Sequence, residues 1–195
     1  MTTLITGANG YLASNLYNHI QGPKIKFEGD VRNYREYSNV KTILHFASPS
    51  DIYGFQDKEK LVTTILNGTV NILKLAKHTG AKLVFASSMG VININVNDVY
   101  ISCKLAAEHL IQHTYQNYII LRIPRVYSPC RKGGLMRQLR EKIVPSSDKC
   151  KYIEFITLDD FIEQTLPILN STNIVHEYDI TQSMTIHDIE RWIKQ

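Results

Sequence analysis

Short apolar runs recur along the chain, separated by longer stretches in which apolar positions return with helical spacing. Residues 3–6, 24–27, 42–46, 82–86, 118–122, 152–156 and 174–178 read as strands. Several of these runs are continuously apolar, as in Leu83-Val84-Phe85-Ala86, which is the pattern of strands buried on both faces. The intervening spacing predicts helices over 10–20, 58–79, 100–116, 135–143, 158–170 and 184–194. In the second helix Leu61, Ile65, Leu66, Val70, Ile72, Leu73 and Leu75 make a broad apolar face, and Gly80 supplies a left-handed stop. Strands alternating with helices predict an α/β fold, a doubly wound parallel sheet flanked by helices. Residues 128–151 break the pattern, being rich in Arg, Lys, Gly, Pro and Ser. The expected division is a core over 1–129 and a small C-terminal cap region over 130–195, with the strands near 152–156 and 174–178 able to return to the core.

Composition narrows this only a little. A chain of 195 residues suits one domain, or one domain with a small appendage. Its net charge of +4 slightly favours small anionic ligands, and it lacks the concentrated basic stripe of a nucleic-acid binder. No stretch approaches the ~20 apolar residues of a membrane span, and the chain opens on a strand-like run where a leader would carry charge. Cys103, Cys130 and Cys150 are odd in number and widely spaced, which fits free, mostly structural thiols in a reducing cytoplasmic setting. The 7 histidines have no ligand spacing, so no metal is expected, and His45 reads as a core or cofactor-side residue.

The chemistry begins after the first strand, at Thr6-Gly7-Ala8-Asn9-Gly10-Tyr11-Leu12-Ala13. Gly7 permits a tight turn, Gly10 lets backbone approach a pyrophosphate at a helix N-terminus, and Ala13 lets that helix pack closely on the strand. Asp30 follows at about the ~20-residue distance of a carboxylate serving the adenosine ribose, while Arg32 nearby suits a 2′-phosphate. Both NAD and NADP therefore remain open. Gly29-Asp30 is also ordinary turn chemistry.

Tyr100 and Lys104 lie four apart and share one helix face. An ammonium beside a phenol lowers the phenol's pKa and prepares it for proton transfer. Spacing alone does not single them out, because Tyr37 and Lys41 are spaced identically. Context does: Tyr100 opens an amphipathic helix after a strand ending in Ser87-Ser88, and strand ends gather at the ligand crevice of a doubly wound sheet.

Taken in order, these segments resemble the extended short-chain dehydrogenase/reductases, specifically the NAD-dependent epimerase/dehydratase family that modifies nucleotide sugars. Besides the first loop, the likeness rests on Gly29-Asp30-Val31-Arg32-Asn33, Ile43-Leu44-His45-Phe46-Ala47-Ser48, Asn67-Gly68-Thr69-Val70-Asn71 and Phe85-Ala86-Ser87-Ser88. Tyr100-Ile101-Ser102-Cys103-Lys104, the run from Leu121 to Pro129, and Leu158-Asp159-Asp160 extend it along almost the whole chain. The resemblance implies a Rossmann-type fold with a small substrate cap. It implies Tyr100 as general acid/base, Lys104 on the nicotinamide ribose and lowering the tyrosine pKa, and Ser88 on the reacting oxygen. NAD or NADP would be held by Gly7, Asn9, Gly10, Tyr11, Leu12, Asp30, Val31, Phe46, Ala47, Ser48, Asn67 and Ile123, together with Tyr100 and Lys104.

A nucleotide sugar would meet Ser88, Arg125 and Arg131. Lys132, Arg137 and Arg140 either join those arginines around a diphosphate or form a solvated basic face. Ser88 is followed by Met89-Gly90 in place of the family's dehydratase Asp-Glu pair, which favours 4-keto reduction or C4 epimerisation over dehydration. Cys103 reads as packing. Helices 58–79 and 100–116 imply a homodimer, and the length is short for the family, with only one strand between Gly10 and His45 and a clipped span from Ser88 to Tyr100. That compression leaves two alternatives: a cofactor-binding regulator without catalysis, or a reductase of another small carbonyl compound.

Overall fold

The computed structural model describes residues 2–49, 55–93, 98–145 and 148–194. Part of the clipped span between Ser88 and Tyr100, residues 94–97, lies outside these, as do 146–147 of the basic stretch. The strands are β1 (Thr2–Thr6), β2 (Lys24–Lys26), β3 (Val40–His45), β4 (Lys82–Ser88), β5 (Tyr118–Ile123), β6 (Val126–Tyr127), β7 (Tyr152–Thr157), β8 (Ile174–Glu177) and β9 (Gln182–Thr185). The helices are α1 (Tyr11–His19), α2 (Lys58–Thr79), α3 (Val99–Thr114), α4 (Gly134–Arg140), α5 (Leu158–Ile168) and α6 (Ile186–Trp192).

Six strands form the main sheet in the order β2-β1-β3-β4-β5-β8, with every neighbouring pair parallel. Parallel strands need crossover connections, and the crossovers cover both faces. Ala13 and Leu16 of α1 and Phe161 and Ile162 of α5 pack on one face. On the other lie Leu61, Ile65 and Ile72 of α2 with Ala107 and Ile111 of α3. Leu44, Leu83 and Val84, buried between the layers, explain the unbroken apolar runs. From β1 the chain moves outward to β2 and then returns to the opposite side of β1 as β3. That reversal places a crevice at the carboxyl ends of β1 and β3, where doubly wound sheets bind ligands.

Helix starts follow local chemistry. The Asp57 carboxylate accepts from Lys60 N–H at 2.9 Å to cap α2, and Asp98 accepts from Ile101 N–H at 3.2 Å to cap α3. Thr157 and Asp160 cap α5 reciprocally. Each such cap is worth about 1 kcal/mol. Gly80, at φ 66°, ends α2 as expected.

Of the two late strands, β8 joins the main sheet beside β5, whereas β7 does not. β7 lies in a second sheet, parallel to β6 and antiparallel to β9. α4 and α6 close over this sheet around Tyr127, Met136, Leu139, Phe155, Ile186 and Ile189. The helix expected over 184–194 starts at Ile186, because Met184 and Thr185 pair with β7 before Thr185 caps α6.

Candidate active site

The first loop turns hard against β3. Gly7 has φ +65°, and a Cβ there would lie 2.7 Å from Ala47 N and 2.8 Å from Ala47 Cα and Phe46 C. Gly10 N–H closes the turn on Gly7 O at 2.8 Å. As the N-cap of α1, Gly10 brings no capping side chain, so the amides of the first turn, at Tyr11 and Leu12, face the crevice end of the helix unsatisfied by it. Two glycines that keep backbone bare beside an open helix N-terminus match the needs of a dinucleotide pyrophosphate. Ala47 N–H donates to Thr6 Oγ1 at 3.1 Å, which ties the end of β3 to the loop. Thr6 Oγ1 also meets Nδ1 of buried His45 at 2.7 Å. Burial, with the Lys104 charge adding to it, pushes the His45 pKa down to about 3, so the ring is a neutral core member. Phe46 sets its ring edge on Phe161, and Ser48 donates to Pro49 O at 3.1 Å.

The second group of expected cofactor residues lies along α2. Val31 is buried against Gly68, where a Cβ would come within 2.9 Å of Val31 Cγ1. Asn71 donates to the carbonyls of Val31 at 3.2 Å and Arg32 at 2.7 Å. Asn67 and Asp30 line the same polar cavity of about 560 Å³, with Arg32, Asp57, Lys60 and Thr63. Asp30 is engaged, however: Arg32 grips it with Nη2 at 2.5 Å, and that guanidinium holds the carboxyl below the usual range. Arg32 is thereby committed to Asp30. Lys26, at the end of β2, instead donates to Asn9 Oδ1 at 3.3 Å.

Ser88, Tyr100 and Lys104 come together at the carboxyl end of β4. Ser88 pairs in register with Ile123 and accepts from Gly90 N–H at 3.2 Å. Gly90 lies so close to α3 that a Cβ would run into Ile101 Cδ1, which brings the turn after Ser88 onto the start of the helix carrying Tyr100. Lys104 is 3% exposed and donates through Nζ to Ala86 O at 2.6 Å. Its ammonium lies 4.8 Å from the Phe85 ring centre and 5.6 Å from that of Tyr100. Burial lowers the Lys104 pKa to about 7 against the opposing pull of Glu108.

The expected lowering of the Tyr100 pKa does not occur. Burial raises it to about 12, reinforced by Asp98; the Tyr100 ring packs at a tilt against Phe55 with centres 4.9 Å apart, and the Lys104 ammonium is turned to Ala86. The competing pair separates from the site. Tyr37 accepts from Glu28 N–H at 2.8 Å and packs on Phe27, outside any helix.

On the cap side, Arg131 lies over the Tyr11 ring at 4.9 Å and near the Tyr127 ring at 6.0 Å, and donates to Val126 O. Tyr11 and Ser128 join by hydroxyls at 2.6 Å. The start of α1 and the segment after β6 thus meet through side chains distant in sequence, and the Arg131 charge reaches Tyr100. Arg125 is exposed, with its field on Tyr127. Arg137 pairs with Glu141 at 2.7 Å, and Arg140 donates to the carbonyls of Arg131 and Pro129, so both have structural roles. Asp160 accepts from Thr181 at 2.6 Å as well as capping α5. Cys103 is buried as a packing residue, while Cys130 and Cys150 are exposed free thiols instead of structural ones.

Two features escaped the sequence. Lys26 at Asn9 follows from the β1 and β2 register, which no local motif encodes. Glu108 is fully buried on α3, one turn beyond Lys104, and a lone carboxylate within Leu105-Ala106-Ala107-Glu108-His109-Leu110-Ile111 was readable as the partner of a buried cation. Among the described residues no group of His, Cys, Asp or Glu forms a metal cluster, and no helix is long and apolar enough to cross a membrane.

Comparison with solved structures finds the same fold. dTDP-4-dehydrorhamnose reductase of Bacillus anthracis, in complex with NADP, superposes with a TM-score of 0.77 at 16% identity, over 98% of this chain and 79% of that one. UDP-glucose 4-epimerase of Thermus thermophilus, in complex with NAD, gives 0.76 at 17% identity, over 99% and 82%. A monomeric L-threonine 3-dehydrogenase of metagenomic origin gives 0.76 at 19% identity, over 97% and 80%. No curated protein matches the chain in sequence. The family model for the NAD dependent epimerase/dehydratase family matches residues 3–182. With its glycine loop at the switch point and Ser88, Tyr100 and Lys104 at the end of β4, the chain belongs to the NAD-dependent epimerase/dehydratase family.

Proposed function

We propose that the protein is an NAD(P)-dependent oxidoreductase or epimerase that acts on a nucleotide-linked sugar, with 4-keto reduction the favoured reaction. The carrying observation is the buried Lys104 ammonium on Ala86 O beside Tyr100, at the crevice where Gly7 is pressed on Ala47. Gly7, Gly10 and the first turn of α1 receive the pyrophosphate, with Phe46, Ala47 and Ser48 along its path. Val31 and Asn67, with Asp30 once released by Arg32, line the adenosine end. When bound, the nicotinamide supplies or accepts the hydride. Tyr100 Oη gives its proton to the carbonyl oxygen as the carbon is reduced, and takes it back in the oxidative direction. Because burial keeps the phenol protonated, Tyr100 is poised as the acid, which is the form that reduction needs. Ser88 Oγ donates to the same oxygen, and Arg125 and Arg131 meet the diphosphate from the cap, which comprises β6, β7, β9, α4 and α6. A homodimer through α2 and α3, whose Val62, Leu66 and Leu110 are only partly buried, belongs to this reading, and sedimentation at micromolar concentration is expected to find a dimer.

Turnover is the test. Purified protein with NADH or NADPH and a 4-keto nucleotide sugar is expected to consume reduced nicotinamide. A second reading, reduction of a smaller carbonyl compound, is favoured by the small cap cluster, which has six buried apolar members among the described residues, and by the likeness to L-threonine 3-dehydrogenase. Cofactor consumption with small keto acids and none with nucleotide sugars selects it.

A further inference from the structure

Glu108 has no part in the assignments above, yet it is among the most buried charged groups of the chain, at 0% exposure. A carboxylate so placed is tolerated only when its oxygens are satisfied. Ser87 donates its hydroxyl to Oε1. Arg122, from β5, donates through Nη2 to Oε2 at 2.8 Å and through Nε at 3.2 Å, then reaches Glu177 of β8 with Nη1 at 2.9 Å. Glu108 also lies four residues after Lys104, on the same side of α3.

These contacts converge on three consecutive residues of β4. Ala86 offers its carbonyl to Lys104, Ser87 turns its hydroxyl to Glu108, and Ser88, the next residue, accepts from Gly90 N–H. One turn of α3 therefore grips the strand end twice. We infer that Glu108 is a positioning residue: through Ser87 it fixes the strand end from which Ser88 projects, and its carboxylate retains the Lys104 ammonium in a site closed to water. The effect on turnover rests on the function proposed above; the effect on Lys104 does not.

The charges bearing on Lys104 are few. Its own helix presents Tyr100, Cys103 and Glu108, β3 presents neutral His45, and Arg122 and Glu177 stand beyond Glu108 on β5 and β8. Phe85, on β4, adds a ring face. Of these, Glu108 is the carboxylate whose attraction opposes the burial of Lys104. Losing its charge makes the ammonium easier to deprotonate.

The experiment uses the full chain without ligand, with lysine carrying carbon-13 at the ε position, and follows the Lys104 signal by NMR against pH. The signal is assigned by its disappearance in Lys104→Met. Glu108→Gln, which keeps the shape and loses the charge, is expected to move the midpoint down by about one pH unit or more. Ser87→Ala, which loses the hydrogen bond and keeps the charge, leaves the midpoint in place and lowers kcat by displacing Ser88. Arg122→Gln frees Glu108 from its competing cation and moves the midpoint up, so the link is readable even if the Glu108→Gln protein does not fold. An unmoved midpoint in folded Glu108→Gln overturns the assignment. So does a downward shift in Arg122→Gln, or a shift in Ser87→Ala equal to that of the charge variant. If the midpoint moves as expected and no nucleotide sugar is turned over, the role of Glu108 stands and the proposed function falls.

Discussion

Tyr100→Phe is expected to lower turnover on a nucleotide sugar by about 10²–10⁴-fold, the usual worth of a positioned acid or base. Affinity for the cofactor should change little, because the substitution removes one oxygen and keeps the ring packed against Phe55. Folding should be unharmed for the same reason. The size of the effect follows from geometry: Tyr100 is the phenol that α3 sets beside Lys104 and the strand end bearing Ser88. Steady-state kinetics with the folded variant separates the possibilities. A fall in kcat with unchanged cofactor binding fits proton transfer at Tyr100 Oη. Retained turnover removes Tyr100 from the chemistry, and a joint loss of turnover and cofactor binding makes its role structural.

Gly7→Ala carries the second large effect, and it falls on the cofactor and on stability together. A side chain at φ +65° costs roughly 1–2 kcal/mol by itself. The added Cβ also meets Ala47 and Phe46 backbone at 2.7–2.8 Å, and backbone cannot swing aside as a side-chain tip can. The loop must retreat from β3, which carries the α1 N-terminus with it. Cofactor affinity is expected to drop at least about tenfold, equivalent to about 1.4 kcal/mol. Gly80→Ala is the matched control. Gly80 has φ +66° but nothing within 4 Å of a Cβ, so it should lose only the conformational contribution and leave cofactor affinity unchanged. Calorimetric titration with NADH and NADPH, beside urea unfolding of both variants, measures the two parts. Equal affinity in wild type and Gly7→Ala contradicts a pyrophosphate seated on this loop.

The central strands of the main sheet, β1, β3, β4 and β5, were legible because their middles are buried on both faces. Ile43-Leu44 and Leu83 to Ala86 need no partner to announce themselves as interior strands. β6 and β9 were not legible. Val126–Tyr127 is too short for periodicity, and Gln182–Thr185 has none, so both are strands only because β7 lies beside them. The same division runs through the site. Glycines at 7 and 10 and the Tyr100–Lys104 spacing are local signals, and local geometry decides what they do. The Tyr100 pKa is set first by burial, which spacing does not encode, and the Lys104 ammonium is turned to Ala86. The contact of Tyr11 with Ser128 and Arg131 joins segments more than a hundred residues apart, beyond the reach of any motif.

The most direct measurement follows an isotope. NADPH or NADH deuterated at nicotinamide C4, on one face and then the other, is incubated with the protein and a 4-keto nucleotide sugar, and the sugar product is analysed by NMR and mass spectrometry. The account predicts deuterium on the sugar carbon that bore the carbonyl, transferred from one nicotinamide face only, and slowed in Tyr100→Phe in step with turnover. A product without deuterium, or no product while the cofactor is bound, contradicts it.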